Sequence, residues 1–183
     1  MKAAVFFLLF AGMVMPLPVA AQMVQNPKLA AGAYIVKWIL TDEASGTGPL
    51  HIIYSDGTDL TVADERGDFT KGNGPITQES FSDIQLAQDH RTIGWLAEYR
   101  MCAQSYPCPL ELIIYRAGHV LQKISPAYGI FWSWKFLKGG REVAARSGFS
   151  HGDDTGEYEL YDIGTGRKLA GYSLRGRIPG WAR

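Results

Sequence analysis

The chain repeats itself. Displaced by 50 positions, Ile84-Gln85-Leu86-Ala87-Gln88-Asp89-His90-Arg91-Thr92-Ile93 falls on Trp134-Lys135-Phe136-Leu137-Lys138-Gly139-Gly140-Arg141-Glu142-Val143. Apolar positions meet apolar ones, the turn meets the turn, and Arg91 meets Arg141. Displaced by 48, Leu110-Glu111-Leu112-Ile113 falls on Tyr158-Glu159-Leu160-Tyr161, Gly118 on Gly166 and Leu121 on Leu169. The two displacements differ because the loop between the halves is two residues longer in the first copy. A looser third copy, Pro49-Leu50-His51-Ile52-Ile53-Tyr54-Ser55-Asp56-Gly57, echoes the stretch from Pro109 to Gly118 and follows an apolar strand at 33–39. A fixed period restricts a chain to folds assembled from stacked, equivalent units.

Each unit reads as a short strand, a tight turn, a strand, a variable loop and a hairpin. The hairpin at 158–172 turns on Gly164-Thr165-Gly166, glycines placed where a positive φ is needed. Along the second strand Ile93, Trp95, Ala97 and Tyr99 point one way and Leu96 the other, so both faces are apolar. A blade held between two neighbouring blades must be buried on both sides in this way. The 21 glycines, 9 prolines and 12% aromatics suit such a turn-rich β protein better than a helical bundle.

The pattern resembles the TolB-type, WD-repeat-like β-propeller unit, with its short strand, Ser-Pro-Asp-Gly-Lys/Arg turn, apolar strand and Leu-Tyr-x-x-Asp-x-x-x-Gly-Gly hairpin. Here the turns are Ala87-Gln88-Asp89-His90-Arg91 and Leu137-Lys138-Gly139-Gly140-Arg141, and the hairpin is Glu159-Leu160-Tyr161-Asp162-Ile163-Gly164-Thr165-Gly166-Arg167. The resemblance covers 84–174 well and 33–66 loosely. The segment from 84 onward is also similar to a group of exported bacterial proteins, which implies a fold and no activity. His90 stands in place of the turn glycine, a substitution that histidine tolerates better than most residues. The resemblance implies an all-β domain over 22–183, with two to three antiparallel propeller-like blades at roughly 33–66, 84–124 and 133–174. Four or more blades close a ring, so this propeller is incomplete. Its open edges invite self-association or pairing with an envelope protein.

The N-terminus carries Met1-Lys2, an apolar run from Ala3 to Ala21, and small residues, Val19 and Ala21, ahead of Gln22. This reads as a secretory signal peptide, residues 1–21, cut after Ala21. A retained anchor is the alternative. Pro16 and Pro18 break its helix and no cationic stop-transfer cluster follows, Lys28 being the first positive charge after the run. The expected address is periplasmic or secreted, with no membrane span after cleavage. Lysine plus arginine total 18, as do aspartate plus glutamate. That balance speaks against a nucleic-acid partner, which requires a basic excess.

Export also colours Cys102 and Cys108. In an oxidising compartment such a pair forms a disulfide, here a short loop staple worth about 2 kcal/mol. The spacing is not C-x-x-C, which leaves a redox role little support; free thiols are the other alternative. The stretch 99–109, with Arg100 and Tyr106, is the longest loop of its blade and the first choice for an interaction surface. Trp132 and Trp134, following Tyr128 and Phe131, could stack on a sugar, although Trp134 shares the repeat position of Ile84 and so belongs to the core. His151-Gly152-Asp153-Asp154 joins a histidine to two carboxylates, a set able to hold an ion or move a proton, or else a plain solvated loop. No second histidine lies nearby. His51, His90 and His119 share no ligand spacing, so no metal site is assigned.

Nucleophile elbows, phosphate loops, His-Glu-x-x-His and spaced carboxylate pairs are missing from the sequence, and neither a catalytic residue nor a cofactor is assigned. The expectation is an exported, non-catalytic binding or protein-interaction module built on propeller-like blades. The alternative is a small secreted hydrolase or lyase, or a carbohydrate-binding protein, that uses the His151–Asp154 loop.

Overall fold

A computed structural model describes residues 29–62, 66–67, 76–100, 107–149 and 155–183. The signal segment 1–21 lies outside these residues. Among them no helix is long and apolar enough to cross a membrane.

The protein is all-β. β1 (Ile35–Asp42), β2 (Thr47–Tyr54) and β3 (Asp59–Val62) form a first antiparallel sheet in chain order. A two-residue pair, β4 (Arg66–Gly67) and β5 (Ile76–Thr77), follows it. The second sheet runs β6 (Ser80–Leu86), β7 (Thr92–Tyr99), β8 (Cys108–Arg116) and β9 (His119–Ile124). The third runs β10 (Ile130–Leu137), β11 (Glu142–Gly148), β12 (Gly156–Asp162) and β13 (Lys168–Ser173). These two four-stranded sheets have the same strand order, and none of the three main sheets closes on itself. Open antiparallel sheets of this kind fit incomplete propeller-like blades.

The turns show why the sequence folds locally as it does. Between β6 and β7, Asp89 Oδ1 accepts the N–H groups of Arg91 and Thr92, each at 2.9 Å, and His90 takes a φ of 54°. Histidine therefore stands in the left-handed conformation, which it tolerates better than most residues. Between β10 and β11 the matching residue is Gly140, at a φ of 88°. A side chain there would meet Ala87 Cβ at 2.8 Å, because the turns of successive sheets press together.

Two apolar clusters occupy the spaces between the sheets. The first joins Leu50, Ile52, Tyr54 and Leu60 of the first sheet to Phe81, Ile93, Trp95 and Ile113 of the second. The other joins Leu96, Leu112 and Ile114 to Phe131, Trp134, Val143 and Tyr161 of the third. Odd-numbered residues of β7 thus face one neighbour and Leu96 the other, as the alternation predicts. The second sheet is the buried middle layer. Each fully buried isoleucine or leucine in it contributes about 2 kcal/mol relative to exposure.

Polar contacts fix the spacing of the layers. Ile35 N–H donates to His90 O across the first gap at 2.6 Å, and Phe81 N–H to Gly46 O at 2.7 Å. Across the second gap, Trp134 Nε1 donates to Asp83 O at 3.0 Å and Gln85 Nε2 to Trp134 O at 2.8 Å. Trp134 is accordingly a core residue, its indole shared between two sheets.

Candidate functional site

Among the described residues no further sheet lies against the outer face of the third sheet, and one of the residues singled out from the sequence, Trp132, leads to it. A β-bulge between Phe131 and Ser133 inserts one extra residue opposite β11. The bulge lets Phe131 and Trp134 both turn into the core while Trp132 stays half-exposed. Gly148 makes room for the ring: a Cβ there would lie 2.6 Å from the Trp132 indole.

Arg146 packs over Trp132, its guanidinium carbon 4.6 Å from the ring centroid, and lies 5.9 Å from the Tyr158 centroid. Register places Arg146 opposite Tyr158, and Lys135 opposite Ala144, on this same outer face. Stacking on two rings restrains the guanidinium without consuming its N–H donors. Among the described residues no carboxylate pairs with Arg146.

The C-terminal segment returns across this face. Residues 180–182 make a single 3₁₀ turn, Trp181 packs on Tyr172 at 6.0 Å between centroids, and Lys135 Nζ donates to the backbone oxygen of Arg183. Between segment and sheet lies a cleft of about 340 Å³, lined by Ser133, Lys135, Ala144, Arg146, Tyr158, Ile178, Ala182 and Arg183 among others. Lys135 and Arg146 supply cations, Tyr158 an aromatic surface and Ala144 and Ile178 apolar groups, with no acidic side chain or histidine in the lining. Such a lining can bind and orient an anion.

A second, more open groove lies between the first and second sheets, near the turn joining β1 to β2. Trp38, Leu40, Phe81 and Ile84 form its apolar part, and Glu43, Asp83 and Glu98 its acidic part. Glu98 accepts Ser80 Oγ at 2.7 Å, and Asp83 accepts Gln85 Nε2 at 2.9 Å. These two carboxylates are thus already engaged with neighbouring polar groups.

The remaining sequence candidates do not gather at either place. Arg100 is exposed beyond the end of β7 and pairs with Glu79 at 3.0 Å. Cys108 is fully buried at the start of β8, opposite Tyr99. Of the stretch 99–109, Tyr99 ends β7 and Cys108 and Pro109 belong to β8, and residues 101–106 lie outside the described residues. Cys102, Tyr106, His151, Asp153 and Asp154 lie outside the described residues. His51, not a metal candidate from the sequence, sits 3.1 Å from Asp59 on the first sheet. Among the described residues no group of three metal-ligating side chains occurs.

Sequence reasoning passed over two carboxylates. Glu111 and Glu159 are both buried within strands. Glu159 accepts Ser147 Oγ and Tyr161 O–H at 2.7 Å each and Ala127 N–H at 3.4 Å, with Lys168 Nζ at 3.2 Å. Burial, together with this neighbouring carboxylate, pushes the Tyr161 phenol well above its ordinary value, so the phenol remains the donor. The available signal was a glutamate repeated at the displacement of 48, Glu111 falling on Glu159.

No known protein family, curated protein or solved structure matches the chain.

Proposed function

We propose that the chain is an exported, non-catalytic binding or protein-interaction module, built on blades of the TolB-type, WD-repeat-like kind and working in the periplasm or outside the cell. The signal-like N-terminus supports the address, and the Cys102–Cys108 pair, read as a loop staple, agrees with an oxidising compartment.

The observation that carries the reading is that, among the described residues, no further sheet closes either end of the stack. At one end Val36 and Ile39 on β1 are 54% and 39% exposed. At the other the restrained Arg146 stands over Trp132 beside a cleft of donors. A blade inside a closed ring buries both faces against neighbours. Here, among the described residues, no further sheet covers the two terminal faces, and the C-terminal segment lies over part of one.

Crosslinked affinity capture of the mature protein from the envelope of its own host, read by mass spectrometry, tests this. The expected result is one abundant envelope partner whose crosslinks map to the two terminal faces. Recovery of the chain alone, with a light-scattering mass of one copy at all concentrations, would remove both the protein partner and self-association.

A further inference from the structure

We propose that the cleft under the C-terminal segment is a binding site for a small amphipathic carboxylate. Its acid group is held by Arg146, and its apolar body lies along Ala144 and Ile178. The proposal deepens the binding-module reading and rests on it.

Charge comes first. The whole chain is balanced, with 18 basic and 18 acidic residues. Yet Lys135 and Arg146 stand at one cleft with no acidic side chain in its lining, and Lys135 is already taken up by the Arg183 main-chain oxygen, which leaves Arg146, among the described residues, as the cation without a partner there. Like charges held together in a partly enclosed space raise the local potential, and an anion relieves it.

Preorganisation adds to this. The Trp132 and Tyr158 rings restrain Arg146, so little side-chain freedom remains to be lost on binding. A planar guanidinium with free N–H edges matches a carboxylate in two parallel hydrogen bonds. Lys135 contributes in another way. By bonding the Arg183 backbone oxygen it anchors the segment that forms the opposite wall.

The rest of the lining selects the body of the ligand. Ala144 is short and buried, while Ile178 remains 43% exposed on the segment above it. At about 340 Å³ the cleft is at the small end of ligand sites and suits one ring or a short chain. A bare inorganic anion would leave those apolar walls in contact with water.

The probe is 3-phenylpropionate, titrated into the mature protein and followed by tryptophan fluorescence and by amide chemical shifts. Its neutral amide and phenyl phosphate serve as comparisons. Saturable binding is expected, with shifts confined to β10, β11, β12 and residues 177–183, weakening in high salt and lost with the amide. Arg146→Gln should weaken it about tenfold or more, as the loss of charge-assisted hydrogen bonds does. Lys135→Gln, which frees the segment and spares Arg146, should weaken it less and broaden the 177–183 signals. Circular dichroism establishes that both variants fold.

No saturation up to about 10 mM, a range in which even a weak site of this size fills, overturns the proposal. So does binding that is indifferent to Arg146→Gln. Tighter binding of phenyl phosphate than of the carboxylate overturns the head-group assignment. A captured envelope partner alongside a silent titration removes the cleft and leaves the module reading standing. Saturable carboxylate binding with no captured partner supports the cleft and transfers the module from a protein partner to a small ligand.

Discussion

Glu111 and Glu159 occupy the same register position in successive sheets, each opposite an alanine of the preceding strand, Ala97 and Ala145. Both are buried, at 7% and 0% exposure, and each accepts a tyrosine O–H: from Tyr99 at 2.8 Å and from Tyr161 at 2.7 Å. The repeat therefore extends beyond apolar packing to a buried acceptor in a middle strand of the second and third sheets. Burying a carboxylate is costly unless its oxygens are well supplied with donors, and Glu159 has them.

Removing that acceptor should be severe. Glu159→Ala strands the buried Ser147 and Tyr161 hydroxyls, and we expect a loss of about 3 kcal/mol in chemical denaturation. Glu159→Gln keeps one of the two acceptor oxygens and the side-chain volume, while it loses the attraction to Lys168 and turns an NH2 toward the donors on one side, so it should cost less than Glu159→Ala. Equal losses for the two would mean that the hydroxyls are not held by this group.

The gaps between sheets should reject a single added carbon. Gly94 in β7 faces the next sheet, and a Cβ there would lie 2.7 Å from the Trp134 ring and 2.9 Å from the Ile113 carbonyl. Gly94→Ala is expected to destabilise by about 2 kcal/mol through overpacking. Gly57 has nothing within 4 Å, but its φ of 85° makes Gly57→Ala a backbone-strain control of about 1 kcal/mol. Thermal melts of the two variants would separate crowding from strain.

Trp95 should tolerate loss of its nitrogen. The indole is fully buried between Phe81 and Tyr115, with centroids 5.7 and 6.0 Å away, and its Nε1 has no hydrogen-bond partner. Trp95→Phe gives up volume but also removes an unsatisfied donor, so a change of about 1 kcal/mol is expected. Trp95→Ala should cost about 4 kcal/mol. Urea titration of both decides the point.

Acid should loosen the turns. Hydrogen bonds from Ser45, Ala30 and Thr165 hold the carboxyls of Asp42, Asp56 and Asp162 below their ordinary 3.8. Groups depressed in the folded state stabilise it above their unfolded value, and that stabilisation is lost as pH falls through the lower folded values. The melting temperature should therefore fall from about pH 4 downward. The triple Asp→Asn variant should melt lower at pH 7 and show a shallower acid limb. An unchanged acid limb in that variant would place the sensitivity elsewhere.

Much of this was legible along the chain. Alternation on β7 is a local property, so Ile93, Trp95, Ala97 and Tyr99 separate from Leu96 without knowledge of what they touch. The positive φ of His90 and Gly140 follows from turn chemistry and from their equivalence in the repeat. Trp134 could be placed in the core because it falls on Ile84. The outer-face cluster was only partly visible. Trp132 drew notice as an aromatic, but nothing in a row of letters reveals a bulge or the lining of a cleft.

The sequence alone determined what is periodic: an all-β chain, repeated strand and turn units, and a middle sheet apolar on both faces. Those properties depend on residues within one or two turns of each other. Tertiary structure decided what depends on distance in the chain. It brought Arg146 over Trp132, set Arg183 against Lys135 from 48 residues away, and gave the buried Glu159 its donors from three separate segments. Such contacts arise only when the sheets stack, because side-chain direction after a bulge, and the path of a tail over a face, depend on the whole packed shape rather than on any local preference.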